Sequence, residues 1–328
     1  MKRILKAMAT LMLMMVFAAS CTKPENSDRV VPKGAISGLF SINEHTQVYF
    51  SQGNLQYQAS TDIWKFAENQ WDFVGGVVLE PQYESGNVYE QGRKCDNTLI
   101  SENYDGWIDL FGWGTSGWNN GNRYYHAYDY DVFGHYGDMP SSSYDASVGY
   151  GFGPTDGASY EYDLRGDYAN ADWGVNNAIS NGENCGWYTL TINEWKYLFE
   201  SRNTSSGIRY VKGKVNEVNG VILLPDDWDS SFKFINANDR NGRYESNKIS
   251  VSKWKSLEKH GAVFLPAAGY RFDGSWLSGS GAYGYYWTSS SSTFGSAMKI
   301  YFLDANLHTE LAGNRYNGLS VRLVCPAE

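Results

Sequence analysis

Cysteine and histidine are scarce in this chain, and the few present do not gather. None of Cys21, Cys95, Cys185 and Cys325 stands at the C-x-x-C spacing of a zinc knuckle or a dithiol oxidoreductase. His45, His126, His135, His260 and His308 form no metal-spaced pair on an evident element, and H-E-x-x-H does not occur. G-x-S-x-G and the P-loop are missing too, which removes the nucleophile elbow and the Walker-type phosphate cradle. "GSGAYG", Gly279–Gly284, matches G-x-G-x-x-G by letters, but "YYW" follows where a dinucleotide-binding helix would have to start. Charge is thin: 19 % of residues, against about a quarter in an ordinary domain, with a net charge of −9. That balance argues against nucleic acid and anionic membrane patches as partners, and solubility alone accounts for it.

Aromatic residues and glycine are plentiful instead. Aromatics make up 16 % of the chain and there are 35 glycines, a mixture that favours strands and tight turns over helices. With 42 % hydrophobic residues over 328 positions, the chain can bury a substantial core. Its amino end carries Lys2, Arg3 and Lys6, then the apolar "LMLMMVF" of residues 11–17, then "AASC" ending at Cys21. The apolar run is too short for a mature membrane span. A small-residue stretch closing on Cys resembles the lipobox of bacterial lipoproteins, and the resemblance implies cleavage before Cys21 and lipidation of that residue. The alternative is a plain signal peptide with an incidental Cys. Loss of residues 1–20 removes three positive charges and takes the net charge from −9 to −12. Residues 21–35 then read as a polar, flexible tether to a single domain over 36–328.

Strand patterning begins near Gly38. In "TQVYFSQGNLQYQ" Val48 and Phe50 share a face, and in "DIWKFA" Trp64 and Phe66 lie opposite Ile63 and Lys65. Gly53-Asn54 and Ser60-Thr61-Asp62 punctuate what looks like an antiparallel meander. Residues 75–185 hold neither helical nor strand period and read as a packed, irregular insertion. Thr191 and Glu194 then form a capping-box pattern ahead of an amphipathic helix running to Arg202, with Ile192, Trp195, Leu198 and Phe199 inward. A hairpin follows around "NEVNG", with Asn219-Gly220 in its loop. A second helix is expected over Ser252–His260 with Gly261 closing it. The remaining runs are strands. Met298, Ile300 and Phe302 share one face, as do Leu319, Val321, Leu323 and Cys325 on the last strand. Cys185 precedes the capped helix and is expected to pair with Cys325 in an exported protein.

"WYTLTINEWKYLFESR" resembles the W-R-L-P-T-x-x-E-W segment of formylglycine-generating-enzyme-like proteins. "GAVFLPAAGYRFDGSW", "GYYWTSSSS" and "NRYNGLSVRLV" resemble the Fibrobacter succinogenes major paralogous domain. Both are versions of the C-type lectin-like fold, and the similarity covers about residues 186–328. "VYFSQGNLQYQAS" and "WKFAENQWDFVG" are similar to a segment of envelope lipoproteins from gut Bacteroidales. The resemblance implies an α+β, mainly antiparallel C-type lectin-like fold with two helices and long irregular loops. It also implies a loop-rich binding face near the last strands, which here falls on Tyr283, Tyr285, Tyr286, Trp287, Phe294, Asn314, Tyr316 and Asn317. The copper-binding cysteine pair of the oxidases has no counterpart, so that chemistry is not carried over.

The aromatic stretches "WGTSGWNNGNRYYHAYDY" and "YGYYWTSSSS" admit two readings, sugar or peptide platforms or packing inside an irregular core. Alternation sets Tyr286 opposite Tyr285 and Trp287, so all three cannot face outward together. No cofactor is expected. Three oxygen-rich clusters suit calcium by ligand type and turns by local hydrogen bonding: Asp129 and Asp131; Asp226, Asp227 and Asp229; Asn236, Asn238 and Asp239. The reading is a lipid-anchored envelope protein, at the outer membrane, that binds glycan or protein without catalysis. An enzyme with an unrecognised site and a subunit of a surface fibre are the alternatives.

Overall fold

The computed structural model describes residues 29–75, 82–84, 87–89, 97, 101–118, 126–128, 163–228, 231–272, 276–292 and 296–327. Cys21, Cys95, Asp129, Asp131, Asp229 and Phe294 lie outside them. The chain opens with β1 (Phe40–Ser41) and β2 (Gln47–Phe50), an antiparallel pair. Strands β3 (Leu55–Gln58) and β4 (Ile63–Phe66) form a second pair, and β5 (Gln82–Glu84) and β6 (Asn87–Tyr89) a third. Strands β2 and β3 do not pair with each other, so the expected meander is instead separate hairpins. The chain changes sheets at Gly53, where a Cβ would collide with the backbone of Ala67.

A short helix α1 (Trp173–Asn176) and strand β7 (Tyr188–Thr189) lead into α2 (Ile192–Lys196). Thr191 caps α2 as expected: its hydroxyl accepts from the Glu194 N–H, and the Glu194 carboxylate accepts from the Thr191 N–H at 2.7 Å. The helix does not run on regularly to Arg202. Residues Tyr197–Ser201 widen into a π-helical turn, and the Arg202 N–H bonds the carbonyl of Tyr197. Arg202 at its end is fully buried, donating to Asp226 at 2.8 Å and to the carbonyl of Leu224. Leu198 and Phe199 still reach the core.

Strands β8 (Tyr210–Val215) and β9 (Val218–Leu223) make a hairpin turned by Asn216-Glu217, both at positive φ. Asn219-Gly220 is therefore in the strand and not in the loop. Gly220 has a different reason for being glycine: the Phe264 ring and the Leu265 carbonyl occupy the space of its Cβ. Then come β10 (Lys248–Ile249), α3 (Val251–Lys259) and β11 (Val263–Pro266). Helix α3 is capped by Ser250, buries Trp254 and Leu257, and ends at Gly261 with φ +87°, as its sequence suggests. The chain closes with β12 (Tyr270–Phe272), β13 (Trp276–Ser278), β14 (Gly284–Ser291), β15 (Ser296–Leu303), β16 (Asn306–Asn314) and β17 (Leu323–Pro326).

The strands form two four-stranded sheets, β1-β2-β17-β7 and β10-β8-β9-β11, a three-stranded sheet β14-β15-β16, and two-stranded ribbons. Pairing is antiparallel except for β10 against β8. The architecture is mixed, mostly antiparallel β with a few short helices. The described residues from Val31 onward fold as one unit.

The sheet around β17 is buried on both faces. Val48, Phe50 and Val324 enter a core with Trp195, Leu198, Tyr286, Ile300 and Phe302. Tyr49, Leu323 and Cys325 enter another with Trp64, Phe111, Trp113, Trp173, Trp287, Leu319 and Val321. The face shared by residues 319, 321, 323 and 325 is thus as the alternation indicates. Described residues of the stretch before residue 185 join this second core: Trp113 and Trp173 are fully buried, and Phe111 bridges to Leu319.

Trp195 packs on Phe50 and Phe199, and its indole N–H has no partner among the described residues, so its contribution is packing. Trp195→Ala should cost about 3–5 kcal/mol and Thr191→Ala about 1 kcal/mol in urea unfolding. A Thr191→Ala loss as large as that of Trp195→Ala would mean that the cap also holds tertiary structure.

Candidate functional site

Strands β14, β15 and β16 present two unlike faces. Tyr286, Ile300, Phe302 and Leu307 point into the first core. On the opposite face, cross-strand register aligns Tyr285 with Tyr301 and Tyr301 with His308. Their rings form a row across the sheet: Tyr285 and Tyr301 are 4.5 Å apart at 20°, Tyr301 and His308 5.8 Å apart at 9°. Tyr270 of β12 closes on Tyr285 edge-on at 4.9 Å, and Tyr283 flanks both Tyr285 and Tyr301. The tyrosines are half-buried and His308 is exposed, so the row packs along its edges and stays open above. Burial first, then the neighbouring Tyr301, pushes the Tyr285 phenol upward.

Backbone details hold this face in place. Gly279, at φ +65°, leaves the space into which the Tyr283 ring fits. The turn between β15 and β16 is pinned from below by Lys212, whose ammonium donates to the carbonyls of Arg240, Leu303 and Asn306 at 2.6–2.9 Å. Three donors meet three acceptors, although burial still lowers this amine to about 8.

Lys299, beside the tyrosine row, is not satisfied in this way. It is 8 % exposed, and its amine lies 4.8 Å from the centre of the Tyr285 ring. Its stem crosses Gly313, where a Cβ would come within 2.6 Å of Nζ. Among the described residues the amine has no hydrogen bond and no carboxylate, and burial alone pushes it down to about 8.

The residues expected at the binding face separate into groups. Tyr283 and Tyr285 stand in the row, and Asn314 is exposed at the end of β16. Tyr286, Trp287, Tyr316 and Asn317 are buried, which corrects their placement on an open face. Tyr286 donates to the Pro266 carbonyl, and Trp287 to that of Phe111 at 2.7 Å. Trp287 shares the outward side of β14 with Tyr285, but the segment at residues 111–113 and Leu319 cover it. Tyr316 accepts from Asn314. Tyr270, Tyr301, His308 and Lys299 were not anticipated. Alternation in "MKIYF" implies the outward position of Lys299 and Tyr301 once Met298, Ile300 and Phe302 are inward; only the register reveals that they meet Tyr285.

Cys185 and Cys325 are brought together as free thiols with their side chains in hydrogen-bond contact, which lowers the Cys185 thiol and raises that of Cys325. Among the described residues no three His, Cys, Asp or Glu side chains converge as a metal site. Asp226 is committed to Arg202, Ser41 and Gln47, and the side-chain carbonyl of Asn238 accepts from the Arg209 N–H. No family model, curated protein or solved structure matches the chain.

The unfolded chain holds the Lys299 proton more tightly than the native one. The contribution of Lys299 to stability is therefore least below about pH 8 and rises as pH increases toward 10.5. Lys299→Met should raise stability by about 1–3 kcal/mol near neutral pH. Urea unfolding should show that gain shrinking as pH is taken from about 7 to about 10. An equal gain throughout would assign it to packing.

Proposed function

We propose that this chain is a non-catalytic binding protein of the cell envelope, with a C-type lectin-like fold, anchored by lipid on Cys21. Its ligand is glycan, or a protein surface, held on the face of Tyr270, Tyr283, Tyr285, Tyr301 and His308. The stacked Tyr285–Tyr301–His308 row carries this reading. With their faces stacked on one another, the phenol rings offer stiff edges and hydroxyls to a sugar, with little side-chain entropy to lose. The rings are already ordered by one another and by the sheet, so little further ordering opposes binding. The fold reading is supported by the pairing of early strand β2 with terminal β17, and by the capped α2 where the family resemblance begins.

A glycan array probed with the full chain should give hits that weaken about tenfold, roughly 1.4 kcal/mol, in Tyr301→Ala and in Tyr283→Ala with the melting temperature little changed. Binding unaffected by both substitutions would remove the tyrosine row as the site.

An oxidising envelope fits the adjoining thiols as well. Transfer of two electrons and two protons from Cys185 and Cys325 to a disulfide of an envelope oxidoreductase would join the entry to β7 with β17 and leave that oxidant as two thiols. Peptide mapping without reductant should recover the Cys185–Cys325 link; both thiols alkylated in exported protein would exclude it.

A second reading, a subunit of a surface fibre, draws on β16. Among the described residues this nine-residue strand pairs only with β15 and is largely exposed. The register shift between Lys299 and Tyr301, and Glu310, blunt that edge. Concentration-dependent light scattering would favour the fibre reading.

A further inference from the structure

We infer that the saccharide taken on the tyrosine face is acidic, and that its carboxylate is received by the Lys299 ammonium. This rests on the glycan reading of that face and specifies the ligand class.

The inference starts from contrast among the buried cations. Arg202 is paired with Asp226. Arg271 donates to the carbonyls of Asn97 and Leu110, and Arg322 to Gln70 and the Phe264 carbonyl. Lys212 bonds three carbonyls. Each has oxygen acceptors to offset its desolvation. Lys299 is more than nine-tenths buried and has only the face of Tyr285. A cation–π contact recovers about 0.5–2 kcal/mol and gives the three N–H donors no protein oxygen, while Nζ itself still reaches the surface where a ligand could meet it.

The site is also shaped for this side chain. Gly313 on the edge strand leaves the slot through which the stem reaches the tyrosines, and any side chain there would displace the amine. An aliphatic residue would fill the same position without the cost of burying a charge. The charge therefore sits beside the rings at a standing energetic disadvantage that an incoming oxyanion would relieve. An ammonium over a tyrosine, next to a row of rings whose faces are stacked on one another, suits a uronic-acid unit lying across the ring edges and hydroxyls with its carboxylate at the cation. The chain as a whole is acidic, so preference for an anionic ligand has to be local and cannot come from a general basic surface.

The test uses the full chain on an array of acidic saccharides paired with their carboxyl-reduced forms and with sulfated neutral ones. The expected result is at least about tenfold stronger binding of the carboxylated member of a pair, about 1.4 kcal/mol. Lys299→Met should bring the carboxylated and carboxyl-reduced members of each pair to equal binding. Gly313→Ala, which displaces the amine, should reduce the same preference. Tyr301→Ala should weaken acidic and neutral members alike. A wild-type chain that binds both members equally, or a Lys299→Met variant that keeps the preference, overturns the inference and leaves the tyrosine face standing. Binding of sulfated but not carboxylated members overturns the carboxylate assignment. No binding to any member overturns the glycan reading together with the inference. Near-ultraviolet circular dichroism on each variant confirms that it is folded.

Discussion

The insertion of the last strand between two others is the constraint on which the structure depends. Strand β17 pairs with β2 through Val324, Cys325 and Pro326, and with β7 through Leu323 and Val324. Its side chains alternate between two hydrophobic cores, and the residues just before it continue the pattern: Leu319 and Val321 face the second core with Leu323 and Cys325. A slip of one residue would exchange every one of them between cores of different shape. The same stretch borders the tyrosine face, because Leu319 and Val321 belong to the core that covers Trp287. The cover ends before Tyr285, and there the aromatic row opens.

Aromatic residues thus divide between interior and surface, and along the β14 strand the division falls between Trp287 and Tyr285. Trp113, Trp173 and Trp287 fill the interior, with indole N–H groups directed at oxygen: Trp113 to the Thr288 carbonyl, Trp173 to the Thr115 hydroxyl, Trp287 to the Phe111 carbonyl. Tyrosines 270, 283, 285 and 301 gather at the surface, where a hydroxyl can meet water or ligand. Buried cations follow the same economy of oxygen acceptors, and Lys299 departs from it beside the open rings. Unsatisfied donors occur elsewhere in the interior, the Trp195 indole N–H and the Arg322 Nε–H among them, but the Arg322 guanidinium still has oxygen partners for its charge, and among the described residues Lys299 has none.

Short-range physics was legible in the chain. The capping box at Thr191 and Glu194, the helix expected over Ser252–His260, and the inward set on the last strands depend on contacts within a few residues, and periodicity exposes them. The turn at Asn216-Glu217 was hidden by Asn219-Gly220, a stronger hairpin signal whose glycine answers to Phe264 across the sheet. The π-helical turn before Arg202 was hidden similarly, since the oxygens that receive its guanidinium belong to Asp226 and Leu224.

The sequence by itself determined the alternations, the helix caps and the inward face of residues 319–325, because each is a property of neighbours along the backbone. Tertiary structure alone decided which tyrosines form the face. Tyr270, Tyr285, Tyr301 and His308 lie on separate strands, and their meeting depends on register and on how far a neighbouring core extends over the sheet. It also decided that Lys299 would be left without an oxygen partner, since no local pattern shows which carbonyls the rest of the chain has already taken.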